Sequence, residues 1–195
     1  MDREQRRAQI LGVARDVFAE KGYHDARIDD IVVRAGVARG TFYLYFADKR
    51  AIFEHLVDGF LLRLVEVIRP IELDDPAVQP MAEFRDNLMR VVDVFATDPP
   101  MARVLLSAAV GLDADFDRKL VDFYEHVRAF LERALEQGEA AGIVRPGDHR
   151  LRSYALLGAF KELLYQVVVR GVETESEALV TSTLDLVTRG ALTER

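Results

Sequence analysis

Apolar residues along this chain recur every three to four positions and never alternate, so the pattern predicts helices from end to end and no competing strand. Ile10, Leu11, Ala14, Val17 and Phe18 share one face of a first helix, which Asp2 and Gln5 can open as a capping box and Gly22 can close. A second, short helix is expected from about Ile28 to Ala35, with Asp29 and Asp30 in its first turn, where the helix dipole favours carboxylates. Gly36 suits the left-handed residue that ends it. A third helix runs from about Arg39 to Tyr45, burying Val37, Phe42 and Phe46 beside it. Asp48 is placed to cap a fourth, which carries Ile52, Phe53, Leu56, Val57, Phe60 and Leu64 up to Arg69, before Pro70 breaks it.

Three prolines within 70–80 predict a loop. A fifth helix then carries Phe84, Leu88, Val91, Val92 and Phe95, stopped by Asp98-Pro99-Pro100. A short apolar helix near 101–110, a long one near 114–140, a strongly apolar one near 148–170 and a last one near 175–190 complete the series. The expected class is all-α, with about nine helices.

Composition narrows the function more by exclusion than by direction. Half the residues are hydrophobic and 30% are charged, as in a folded chain rather than a disordered one. With no cysteine there are no disulfides and no thiolate metal sites. The longest uncharged apolar run, Val104 to Leu112, has nine residues, far short of the ~20 that a membrane helix needs. No signal peptide is visible, and a cytoplasmic protein with no membrane partner is the expectation. The four histidines make no zincin motif, and no glycine-rich phosphate loop is present. Asp113, Asp115 and Asp117 suggest a calcium loop, but Arg118 and Tyr124 stand where that loop needs Gly and Glu. No catalytic residue, metal site or cofactor is therefore expected. The net charge of −7 is uneven: residues 1–50 carry +2 and the remainder −9. That is the balance of a DNA-reading head on an acidic body, or ordinary scatter.

One stretch carries a specific signal. Ile31-Val32-Val33-Arg34-Ala35-Gly36-Val37-Ala38-Arg39-Gly40-Thr41-Phe42-Tyr43-Leu44-Tyr45-Phe46, followed by Lys49 and Ile52, is an apolar helix, a Gly-Val turn and a compact helix rich in aromatics. It resembles the signature of the TetR family of ligand-responsive transcriptional regulators (TetR/AcrR-like), with the first helix and Gly22-Tyr23 also in place. The resemblance covers about residues 5–60. Two departures stand out: Arg27 and Ala38 occupy positions where the family usually has a hydroxyl residue before a helix. Each loses an N-cap worth about 1 kcal/mol.

The resemblance implies a helix-turn-helix DNA-binding domain in residues 1–50, a connecting helix at 48–69, and a ligand-binding and dimerisation domain in 51–195. Arg39 and Thr41 would face base edges, with Arg39 suited to guanine. Gly40 would let the helix approach DNA closely, while Arg27, Tyr43, Tyr45 and Lys49 would hold phosphates. Arg3, Arg6 and Arg7 are either a basic arm on the DNA or a solvated start. Two copies are needed to read a near-palindromic operator, and the last two helices are the expected dimer face, through Tyr154, Gly158, Ala159, Leu179, Thr183, Leu184 and Val187. A small hydrophobic or amphipathic effector would meet Phe84, Leu88, Phe123, Tyr124, Val127 and Phe160, with Asn87, His126 or Lys161 as polar anchors; plain core packing is the other reading of the apolar ones. The expected function is an effector-released repressor. An activator, a co-repressor-dependent regulator, or a helical enzyme or adaptor that keeps the head are the alternatives.

Overall fold

The computed structural model describes residues 2–73, 77–108 and 114–190. Among these there are nine α-helices and no strand, the all-α class that the periodicity predicts. They are α1 (Arg3–Asp25), α2 (Ile28–Ala35), α3 (Arg39–Tyr43), α4 (Lys49–Val67), α5 (Pro80–Thr97), α6 (Pro99–Arg103), α7 (Ala114–Ala140), α8 (His149–Val168) and α9 (Ser176–Gly190). A π-helical turn, Val104–Ala108, continues α6. The end of the helix expected near 101–110 lies outside the described residues, as does Asp113.

Local chemistry sets most boundaries. Asp2 accepts from the Gln5 amide at 2.7 Å, and the Gln5 side chain accepts from the Asp2 amide, closing the capping box at the start of α1. Gly22, at φ 75°, interrupts α1, and the final turn to Asp25 follows this kink. Gly36 takes the left-handed conformation (φ 63°) that turns α2 into α3. Asp48 caps α4 through the Ala51 amide at 2.7 Å. The third helix stops two residues earlier than its sequence suggests. The amides of Leu44 and Tyr45 reach back only three residues, to Thr41 and Phe42, so the last turn tightens out of α geometry. Asp98-Pro99-Pro100 ends α5, but it also starts α6. Asp98 accepts from the Met101 amide, and proline suits the first turn because its missing N–H has no helical partner.

The chain divides into two compact units. The first comprises 1–63 with 98–117. Its centre is aromatic: Phe18, Phe42 and Phe53 are buried, the rings of Phe18 and Phe53 meet edge to face at 5.0 Å, and Phe53 contacts Phe116 at 5.4 Å. Asp98, 7% exposed, also holds Arg63 of α4 at 2.7 Å and Arg15 of α1 at 3.6 Å, so one buried carboxylate braces three helices. The second unit comprises 64–97 with 118–195. There the Asn87 side chain bonds both the amide and the carbonyl of Arg69, tying the segment after α4 to α5. Arg85 bridges α5 to Glu177 of α9 at 2.6 Å.

Phe42 is completely buried, so Phe42→Ala should destabilise the protein by about 3–5 kcal/mol. Chemical denaturation measures this. A loss below about 1 kcal/mol would mean that the short α3 is not held by this ring.

Candidate nucleic-acid interface and effector cavity

Phe42 and Phe46 point into the first unit, so α3 presents the opposite side outward. Arg39, Gly40, Tyr43 and Leu44 are exposed there, with Thr41 and Tyr45 half-buried at the edges. A side chain at Gly40 would meet nothing within 4 Å, so nothing inside the chain requires glycine at that place. Neither Arg27 nor Ala38 caps its helix with a side chain. At α2 the Asp30 carboxylate accepts from the Arg27 amide at 2.9 Å instead. Lys21 at 2.8 Å, and then that amide, hold the Asp30 acid below the usual carboxylate range.

The Arg39 guanidinium does not stand alone. It donates to Asp29 at 3.0 and 3.3 Å, and the Tyr43 phenol first, then Asp29, hold its proton above the ordinary arginine range. Both partners are well exposed, so the pair orients Arg39 at little net energy. Arg27 lies beside Lys21, His24 and Asp30 in a polar hollow at the α1–α2 junction. Lys49 is placed differently from its expected neighbours: its ammonium donates to the carbonyls of Tyr23, His24 and Ala26. The basic start is helical rather than a loose arm, since α1 begins at Arg3. Arg7 stacks 5.3 Å from the centre of the Phe46 ring and contacts His55 at 3.2 Å.

Sequence reasoning passed over Leu44 and Val33, which are 73% and 80% exposed. The only signal for Leu44 was an apolar residue adjoining the outward face of α3.

The second unit contains an apolar cavity of about 80 Å³, lined among others by Ile71, Leu73, Phe84, Leu131, Leu135, Val144, Leu156 and Val187. Of the residues expected around an effector, Phe84 alone is in this lining. Leu88 is buried core, and Phe123, Tyr124, Val127 and Phe160 are half-buried on α7 and α8. Burial raises the Tyr124 phenol above its ordinary value, and Lys161 lies 5.1 Å from that ring's centre. Asn87 is occupied by Arg69 and Arg90, and the exposed His126 by the Asp122 carbonyl. Of the expected dimer residues, Tyr154 and Gly158 are exposed and Ala159 and Leu184 half-buried. Leu179, Thr183 and Val187 instead turn inward, at 4%, 2% and 5% exposure within one protomer. The side of α9 left outward carries Leu186, at 58%.

A buried-ring α3 set after a left-handed glycine, with a cation, a phenol and an unhindered glycine outward, defines a helix-turn-helix DNA-binding regulator of transcription. The profile of "Bacterial regulatory proteins, tetR family" matches residues 10–56. The chain is 34% identical over 143 residues to an uncharacterized HTH-type transcriptional regulator, YfiR, of Bacillus subtilis, covering 70% of this chain and 69% of that protein. It is 28% identical over 187 residues, 93% of each chain, to the fatty acid metabolism regulator protein of the same species. The crystal structure of the regulator FadR from Bacillus subtilis in complex with stearoyl-CoA superposes with a TM-score of 0.74 at 26% identity, over 94% of this chain and 98% of that one. The protein belongs to the TetR family of bacterial regulators. Its family is one of regulatory proteins rather than enzymes.

Arg39→Ala should lose about 1–3 kcal/mol of discrimination at one base pair in each half-site. Arg27→Ala should weaken all duplexes alike and flatten the salt dependence of binding. Competition binding at several salt concentrations separates the two, and equal, sequence-blind losses would contradict this division of roles.

Proposed function

We propose that the protein is a homodimeric repressor that leaves a near-palindromic operator when a long-chain fatty acyl-CoA enters its second unit. One head covers too little DNA for specific affinity. Two heads related by a two-fold axis, with recognition helices about 34–36 Å apart, read one turn of an inverted repeat. Outward groups on α8 and α9, including Tyr154, Gly158 and Leu186, are the available dimer surface. The DNA it reads lies in the cytoplasm. No described helix is long and apolar enough to cross a membrane.

The observation that carries the effector reading is the lining of the cavity, which is hydrocarbon apart from Gln137 and peptide groups. An acyl chain has no polar group for such walls to satisfy, whereas a polar effector would be left unpaired there. The likeness to Bacillus subtilis proteins supports the same class: a relative there is a fatty acid metabolism regulator, and the FadR of that species was crystallised with stearoyl-CoA. At about 80 Å³ the cavity is well below the volume such ligands occupy, since small-molecule pockets run to roughly 300–1,000 Å³. Seating the chain therefore requires the walls to open. Ile71 and Leu73, just past the end of α4, are among those walls. These two residues follow α4 directly in the chain, and α4 (Lys49–Val67) begins in the first unit. The ligand acts only because it binds the opened state more tightly than the closed one.

Stearoyl-CoA should weaken operator binding by about tenfold or more, and coenzyme A alone should not, as read by fluorescence anisotropy of labelled duplex. Leu156→Glu should abolish this response while leaving operator affinity without ligand intact, because it sets a carboxylate against the acyl tail. An operator affinity unchanged when stearoyl-CoA saturates the protein would contradict the reading.

A further inference from the structure

We propose that Lys49 is a positioning residue, which fixes the helix-turn-helix pair by closing off the end of α1 rather than by gripping a DNA phosphate. An ammonium has three donors and no acceptor. All three are matched here: Nζ lies 2.6 Å from the Tyr23 carbonyl, 2.9 Å from that of Ala26 and 3.2 Å from that of His24. The same nitrogen sits 4.3 Å from the centre of the Tyr23 ring, a cation over an aromatic face.

The carbonyls are available for a definite reason. The last turn of a helix leaves its C=O groups without helical partners, and the kink at Gly22 (φ 75°) exposes them early. That end of the helix carries the negative pole of its dipole, which a cation offsets. Lys49 is the first residue of α4, so the contact joins the start of α4 to the end of α1 across more than twenty residues. Ala26, 1% exposed, is two residues ahead of α2. Fixing its carbonyl fixes the angle at which α2, and with it α3, leaves α1. Desolvation lowers the ammonium pKa, with Asp25 opposing, as fits a cation turned into the protein. To hold a phosphate, Lys49 would have to give up three hydrogen bonds that hold the reading head together.

Lys49→Met in the full chain tests this by amide hydrogen exchange and by DNA binding. Exchange over 23–46 should speed up about tenfold or more. The affinity ratio of an operator selected from random duplex DNA over unselected duplex should fall, with the salt slope on unselected duplex unchanged. Unchanged exchange with a salt slope lower by about one per protomer would make Lys49 a phosphate contact and overturn the proposal. Because the chain has no cysteine, Lys49→Cys can be alkylated at that one site. Aminoethylation restores an ammonium with N–H donors, while a trimethylammonioethyl group restores the charge alone. Slow exchange should return with the first and not the second. Equal rescue by both would show that charge suffices and would overturn the proposal. Exchange needs no operator, so its outcome stands apart from whether the DNA reading holds.

Discussion

The reading head depends on one constraint: α3 has five residues and cannot exist as a helix by itself. Only burial of Phe42, with Phe46 beside it, keeps the segment helical and sets which of its sides faces out. From that orientation follow the exposed Arg39, Gly40, Tyr43 and Leu44. The missing hydroxyl caps at Arg27 and Ala38 matter little for the same reason, since packing rather than end chemistry supplies the helix stability. Around this point the head is braced by charges that bridge helices: Asp98 to Arg15 and Arg63, and Lys49 to the end of α1.

An acidic protein that binds DNA has to manage its carboxylates locally. In the first unit they are largely spent on neighbouring cations: Asp29 holds Arg39, Asp30 holds Lys21, and Glu20 holds Arg34. These exposed pairs contribute little to stability, but they orient flexible side chains before DNA arrives. The carboxylate beside Arg39 is itself an exposed negative charge, which repels any anion that approaches it. Discrimination among partners often comes from such repulsion as much as from attraction.

Much of the fold was legible because the signals were local. Asp2-Gln5, Gly36 and Asp48 each place a helix boundary by a hydrogen bond or a backbone conformation within a few residues. The outward side of α3 was equally legible, since Phe42 and Phe46 are the rings that can be buried. Long-range facts were not. Lys49 follows an aromatic segment and looks like a phosphate contact, and no pattern shows that its partners are carbonyls more than twenty residues back. Leu179, Thr183 and Val187 share a face of α9, but periodicity cannot say whether that face meets a second protomer or its own core. The cavity escaped for a similar reason: Ile71, Leu73, Ile143 and Val144 belong to loops, where apolar residues carry no period.

The central claim is that α3 reads a base sequence as one half of a two-fold pair. Selection of random duplex DNA by the purified protein, with sequencing of the retained molecules, tests it most directly. The account predicts an enriched inverted repeat, its half-sites centred about one helical turn apart. Retention with no enriched sequence, in the presence and in the absence of stearoyl-CoA, would contradict it.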